Sequence, residues 1–306
     1  MMRILSLLLL TAILSGGCRQ ESKEARSIDF SRVADPASIT DAGAGKKPLR
    51  VAVAAILSPR ETFSSYEDIL NYIGDKLDVP VEFHQRRTYS EINNMIEKEQ
   101  LDFAFICSGA YVELNDDSGN GFEILAVPVS HGKPFYQAYI IVPSDSPARE
   151  FADLKGMSFA YTDILSNTGY LYGLYRIAEE NEDPGTFFSS TIFTNAHDVS
   201  IQMVARGLVD GATVHGLVFE YLRNKEPDRV RDIRVIEISE DFGIHPVVAS
   251  NRMDDGLKMR IREILKNMHN DERGRGLIEN LLIDRFTDGN DSDYDGIRAM
   301  RSALSE

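Results

Sequence analysis

Leu49-Arg50-Val51-Ala52-Val53-Ala54-Ala55-Ile56 is a short run, apolar except for Arg50, with the length and composition of a strand buried on both faces. Downstream of it, Tyr66, Ile69, Leu70, Ile73 and Leu77 fall on one face of a helix for which Ser65 is the expected cap. Residues 79–83 then return to a second short apolar run. Strand, helix, strand at this spacing is the βαβ unit of a parallel sheet.

Reading outward, the same alternation continues. A helix over 90–100 leads into Leu101-Asp102-Phe103-Ala104-Phe105-Ile106, and strands are expected at 122–127 and 138–142. Further on come a strand at 158–161, a helix over 168–180, a strand at 191–193 and a helix over 198–206, followed by Leu208-Val209-Asp210-Gly211-Ala212. A helix running into Leu101-Asp102-x-Ala104 thus has a counterpart running into Val209-Asp210-x-Ala212, 108 residues on. With the alternating pattern, that echo predicts two similar α/β lobes. Residues 48–142 with 240–306 are assigned to one lobe and 143–239 to the other, with crossings near 142–146 and 235–239. Helices at 253–267 and 293–304 are expected to pack back on the first lobe.

The N-terminus has a different character. Met1, Met2 and Arg3 precede the apolar run Ile4 to Leu14, and Ser15-Gly16-Gly17 ends it before Cys18. Residues 1–17 read as a signal peptide, too short to span a bilayer. A cysteine directly after the small residues looks like a lipobox, with Ser15 where such boxes prefer Leu, so Cys18 is the expected lipidation site; a plain secretory signal with an incidental cysteine is the alternative. Residues 18–47, rich in Ser, Ala, Asp and Gly, lack any sustained hydrophobic period and read as a tether. Cys107 then has no disulfide partner and is expected to pack as a small apolar residue.

Composition narrows the functional classes. The chain has 306 residues with 33 Lys+Arg against 48 Asp+Glu, a formal charge of −15. Nucleic acid and anionic membrane surfaces need a basic footprint that this balance lacks. A hydrophobic fraction of 43% beside 26% charged residues is that of a globular protein rather than a disordered or multi-span membrane chain.

The stretch most informative about chemistry is Asp163-Ile164-Leu165-Ser166-Asn167-Thr168-Gly169-Tyr170, between a strand and an amphipathic helix. Such a turn presents free backbone N–H groups, hydroxyl donors and the positive end of a helix dipole, which together suit an oxyanion without Lys or Arg. An ordinary N-cap is the competing reading. The six histidines, at 84, 131, 197, 215, 245 and 269, show no local metal-ligand spacing, although His197, His215 and His245 could still form a zinc cluster in space. Tyr89, Tyr111 and Tyr136 stand at loop junctions where a phenol can meet a ligand. Asp291-Ser292-Asp293-Tyr294-Asp295-Gly296 imitates the start of a calcium loop, but its twelfth position is Ser302, so an acidic helix start explains it better. No GxSxG elbow or assignable triad supports catalysis.

Several of these features, in order, resemble the phosphate/phosphite/phosphonate substrate-binding proteins of ABC importers. Thr88-Tyr89-Ser90, Leu101-Asp102-Phe103-Ala104, Pro134-Phe135-Tyr136, Ile140-Ile141-Val142, Asp145-Ser146-Pro147, Ser166-Asn167-Thr168-Gly169-Tyr170, Ala196-His197 and Val209-Asp210 carry the likeness, which spans about 49–267. It implies a two-lobed periplasmic-binding-protein fold, each lobe a mixed sheet flanked by helices, hinged by crossing strands. It further implies a lipid-anchored protein on the periplasmic or cell-surface side, monomeric, without metal or cofactor and without catalysis. Its ligand would be a small phosphorus oxyanion, delivered to a separate permease and ATPase. Ser166, Asn167, Thr168 and Gly169 would bind the anion at the helix start with His197 from the same lobe, while Tyr89 and Tyr136 close from the other side. Relatives that bind aminoalkylphosphonates carry acidic groups facing the amine; the matching positions here are Leu217 and His245, which alters the tail pocket. A binding protein that signals to a membrane receptor or kinase is the alternative, and an enzyme using His197 or the histidine cluster a third reading.

Overall fold

The computed structural model describes residues 46–54, 56–118 and 122–305; the expected signal peptide, Cys18 and nearly all of the tether lie outside them. The chain begins with β1 (Leu49–Val53), α1 (Pro59–Leu77), β2 (Val81–His84), α2 (Tyr89–Glu97), β3 (Phe103–Phe105), α3 (Ser108–Ser118) and β4 (Phe122–Val129). After the short β5 (Phe135–Tyr136) come β6 (Ala138–Pro143), β7 (Ser158–Tyr161), α4 (Tyr172–Glu179), β8 (Ser190–Phe193), α5 (His197–Ala205), β9 (Gly211–His215), α6 (Gly216–Lys225) and β10 (Ile233–Ile238). It returns through β11 (Phe242–Gly243) to β12 (Val247–Ser250), α7 (Asp255–Asn267), α8 (Glu272–Glu279), β13 (Arg285–Thr287) and α9 (Asp295–Ala303).

The opening stretch is the centre of the first sheet. Val51, Ala52 and Val53 are buried on both faces, and β1 pairs in parallel with β2 (Leu49↔Val81) and β3 (Val51↔Phe103). Antiparallel β12, β4 and β13 complete a mixed sheet of order β13-β4-β12-β3-β1-β2. The second sheet runs β10-β6-β9-β7-β8, with β7 parallel to β8 and β9 while β6 and β10 are antiparallel. Both passages between the sheets run through a small ribbon in which Phe242 faces Tyr136.

Four readings of the sequence need correction. The expected first-lobe limit at 142 falls inside β6, whose partners β9 and β10 belong to the second sheet, so the first crossing is at β5. Helix α1 starts at Pro59 rather than Ser65, because a proline fits the first turn, where its missing N–H needs no partner. Helix α3 lies where no helix was expected: buried Ser108, Ala110, Tyr111, Val112 and Leu114 are interspersed with solvent-reaching Glu113, Asn115 and Asp116, so no clean apolar stripe marks a helical period. Helix α9 does not rest on the first lobe alone but lies against both α3 and α4.

The echo between Asp102 and Asp210 is a real structural repeat. Asp102 Oδ2 accepts from the Arg50 backbone N–H at 2.7 Å, and its own N–H donates to Arg50 O at 2.8 Å. Asp210 does the same across to β7, with Ser158 N at 2.9 Å and Ser158 O at 3.1 Å. Each carboxylate therefore holds the start of a central strand to its parallel neighbour. Asp102 adds two bonds to the Arg50 guanidinium, at 3.2 and 2.8 Å. Hydrogen bonds to a charged group contribute about 1.5–3 kcal/mol, so Asp102→Ala is expected to lower stability by about 2 kcal/mol in urea unfolding, and the exposed Asp210→Ala by less.

Candidate functional site

In a parallel βα unit the strand's C-terminal end and the next helix's N-terminus share one edge of the sheet, where ligands bind in open α/β folds. Here those edges meet. From the first sheet come Ala54 and Ile56 to Ser58 after β1, the start of α2 at Tyr89, and Cys107-Ser108 after β3. From the second come Thr162-Asp163 after β7, His197 at the start of α5, and His215 after β9. His245 arrives just before the antiparallel β12, which ends the return crossing. Every helix in this set turns its positive end toward the same place.

The loop after β7 takes an unusual form. The N–H of Leu171 bonds to Ser166 O at 3.0 Å and that of Tyr172 to Asn167 O, so residues 167–171 form a single π turn before α4. Such turns are frequent at functional sites. Ser166 Oγ accepts from Gly169 N at 3.0 Å, so the cap reading holds for Ser166, while its hydroxyl proton stays available for donation. Gly169 is required by space: a Cβ there would fall 1.6 Å from Thr162 Oγ1 and 2.8 Å from both Ser166 Oγ and His197 Cε1. Thr162, Ser166 and His197 thus surround one point of the loop. Thr168 is held through its carbonyl, which accepts from Thr213 Oγ1 at 2.6 Å, and its hydroxyl is left over.

The opposing wall comes from the first lobe and the ribbon. Thr88 and Glu91 form a capping box that sets the start of α2, and Tyr89 N–H donates across to Asp163 Oδ2 at 3.0 Å. Burial raises the Asp163 carboxyl pKa, against the lowering effect of bonds from Leu165 and Tyr89 N–H. Tyr136, from β5, shares a 2.5 Å hydrogen bond with Ser108 and accepts from Asn167 Nδ2 at 3.1 Å. Gly109 lets α3 approach: a Cβ would fall 2.4 Å from Leu165 O and 2.8 Å from Asn167 N. Burial drives the Tyr89 and Tyr136 phenols far above their usual range, so both stay protonated as donors.

All eight expected residues, Tyr89, Tyr136, Ser166, Asn167, Thr168, Gly169, His197 and His245, therefore lie in one buried neighbourhood. Ser108, Thr162 and His215 join them. Ser108-Gly109 after β3 has the grammar of Ser166 to Gly169 after β7, which is the sequence signal for its place beside the loop. Tyr111 is not part of the group, since its hydroxyl donates to Asp291 at 2.7 Å. Arg298 also bonds Asp291 and Asp295, so the acidic stretch is neutralised by protein.

The three buried histidines do come together, but as a hydrogen-bonded chain. His197 Nδ1 accepts from His215 N–H at 3.0 Å, so the neutral ring carries its proton on Nε2, which lies 3.5 Å from Ser166 Oγ. His215 Nδ1 accepts from Leu217 N–H at 3.1 Å; its Nε2–H then donates to His245 Nδ1 at 3.2 Å. The last proton of the chain sits on His245 Nε2. With the Nδ1 lone pairs engaged, the rings are not arranged as a zinc site, and among the described residues no group of three His, Cys, Asp or Glu is placed to hold a metal. The hydroxyls of Tyr89, Thr162 and Thr168, Asn167 Oδ1 and His245 Nε2 are buried without a hydrogen bond among the described residues. Buried polar atoms are ordinarily paired, so such a cluster is the candidate place for a ligand.

Known proteins resemble this chain over most of its length. A model of the family described as "ABC transporter, phosphonate, periplasmic substrate-binding protein" matches residues 51–294. The phosphonates-binding periplasmic protein of Escherichia coli is 23% identical over 240 residues, 77% of this chain and 70% of that protein. The phosphate-import protein PhnD of Mycolicibacterium smegmatis is 25% identical over 280 residues, 82% of this chain and 84% of that one. A binding protein component of an ABC phosphonate transporter from Pseudomonas aeruginosa has the same fold, with a TM-score of 0.78 at 24% identity, covering 85% of this chain and 87% of its own. PhnD1 from Prochlorococcus marinus, solved with methylphosphonate, gives 0.77 at 16% identity over 85% and 98% of the two chains.

The histidine chain carries a pH signature. Desolvation pushes His197 down to about 3, with His245 adding to the effect, and pushes His245 down to about 3; His215 is also held well below its usual range. Below pH 6.5 the unfolded chain takes up protons that these folded rings refuse, so stability falls as pH drops from about 6.5 toward 3. At pH 5 the loss is about 2 kcal/mol for each of His197 and His245. Urea midpoints at pH 7 and pH 5 check this, and His245→Gln is expected to make the acid-side decline shallower by that amount.

Proposed function

Because the chain belongs to the family of periplasmic substrate-binding proteins of ABC phosphonate transporters, we propose that it binds a small phosphorus oxyanion between its lobes and delivers it to a separate permease and ATPase. The observation that carries this reading is the buried cluster of neutral donors without a protein partner, at the meeting of several helix starts. Thr168, Tyr89 and Thr162 hydroxyls, the free Ser166 proton and the Nε2–H groups of His197 and His245 surround the anion. Neutral donors gain strength against an ionised acceptor, roughly doubling an ordinary hydrogen bond. Asn167 Oδ1 suits a protonated ligand oxygen. His197 acts as a neutral donor, since burial keeps it from being an imidazolium at neutral pH.

The lobes close about the β5–β11 ribbon, in the manner of hinged binding proteins. The contacts Tyr89 N–H to Asp163, Ser58 N–H to Asp198 Oδ1 at 2.7 Å and His197 N–H to Ile56 O at 3.1 Å are those of the closed state. No bond is made or broken in the ligand. The protein acts as a monomer, and Cys18 carries the lipid that keeps it at the membrane. The sensor alternative draws nothing from the relatives, which are import and binding proteins by name.

Calorimetric titration with inorganic phosphate, phosphite and methylphosphonate tests the reading, and binding of none of the three would overturn it. Thr168→Val removes a hydroxyl whose one polar neighbour is the Tyr136 phenol, so it is expected to weaken the bound anion about ten- to hundredfold while lowering the unfolding midpoint only slightly. Cys18→Ala is expected to move the processed protein from membranes to the soluble fraction, because stable anchoring needs two or more lipid chains on that residue. Retention of the variant on membranes would remove the anchor from the proposal.

A further inference from the structure

Beside the polar cluster lies a mainly apolar cavity of about 100 Å3, lined among others by Phe105, Ile244, Leu217 and Val218, with Thr62, Tyr66, Tyr221, His215 and His245 as its polar members. The two spaces share walls. Ala54 and Ile56 line the cavity and also pack with Tyr89 and Cys107 at the cluster. The stacked rings of His215 and His245, 4.5 Å apart, both lie against Tyr136, at 4.4 and 4.7 Å.

The electrical character of this second space follows from the histidine chain. Among the described lining residues there is no carboxylate. His215 Nδ1 already accepts from Leu217 N–H and His245 Nδ1 from His215, so the two rings have no lone pair left to offer an ammonium group. An ammonium group placed there would meet hydrocarbon and a few neutral hydroxyls but no counter-charge, at a large desolvation cost. A hydrocarbon group would gain by burial.

We propose that the cavity receives the organic substituent of the ligand, and that the substrate is a phosphonate with an uncharged apolar tail rather than an aminoalkylphosphonate. This rests on the reading of the polar cluster as an oxyanion site. A cavity of about 150 Å3 takes a benzene ring, so this one holds a tail of roughly three or four carbons.

Titration of the purified protein with inorganic phosphate, methyl-, ethyl- and propylphosphonate and 2-aminoethylphosphonate tests it. Affinity is expected to rise about three- to fourfold per added methylene, with propylphosphonate at least tenfold tighter than the nearly isosteric aminoethyl compound. Leu217→Glu, which supplies a carboxylate at the cavity wall, is expected to shrink or invert that ratio. A flat alkyl series, an aminoethyl compound as tight as the propyl one, or a ratio unmoved by Leu217→Glu would each overturn the tail assignment while methylphosphonate or phosphate binding keeps the oxyanion site standing. If no probe binds, both assignments fall together.

Discussion

Two helix starts meet backbone to backbone at the centre of this molecule, and the remainder of the architecture depends on that approach. Gly109 of α3 and the 165–167 segment come so close that even a methyl group would collide with main-chain atoms. The close approach lets Ser108, Tyr136 and Asn167 form one hydrogen-bonded line across the lobes. It also excludes water, in whose absence hydroxyl and N–H donors have their full effect on a charge. A lysine or arginine at the same point would need a longer stem and a wider gap.

A site without cations has to make every donor count, and the histidines show how the fold arranges this. Two of the rings are fixed by a backbone N–H, His197 by that of His215 and His215 by that of Leu217. Main-chain geometry at the β9–α6 junction therefore decides which ring nitrogen carries the proton. His245, on the return crossing from the other sheet, is oriented by His215 in turn. The result couples the two lobes through proton positions, not net charge. Burial keeps the rings neutral, which leaves the whole chain of donors in a single sense.

The same junction separates two chemistries. Toward β7 the residues are small and hydroxylated; toward β3 and α6 they are Phe105, Leu217 and Val218. Tyr136 and the stacked imidazoles stand between, apolar on their faces and polar at their edges. Such rings suit a boundary between a polar head and a hydrocarbon tail, since each presents a different property in a different direction.

The fold was legible because β1 and β3 are short buried runs and because α1 and α2 carry clear apolar stripes; both are properties of local sequence. So was the turn from Ser166 to Gly169, since hydroxyl, amide and glycine residues directly before a helix mark its start, and Ser166 does cap it. Residues whose role depends on distant partners were not legible. Helix α3 mixes buried Ala110, Tyr111, Val112 and Leu114 with solvent-reaching Glu113, Asn115 and Asp116, so no clean apolar stripe marks it, and no helical period singles out Ser108 at its start. Strand β6 reads equally well as the end of one lobe or the start of the next, and only pairing with β9 and β10 decides. Local sequence by itself thus determined the two-lobed α/β pattern and the hydroxyl-rich turn from Ser166 to Gly169. Tertiary structure alone decided the tautomers of His197, His215 and His245 and the convergence of Tyr89, Ser108 and Tyr136. Those depend on which backbone groups meet across the lobes, and contact between residues far apart in the chain leaves no local pattern to read.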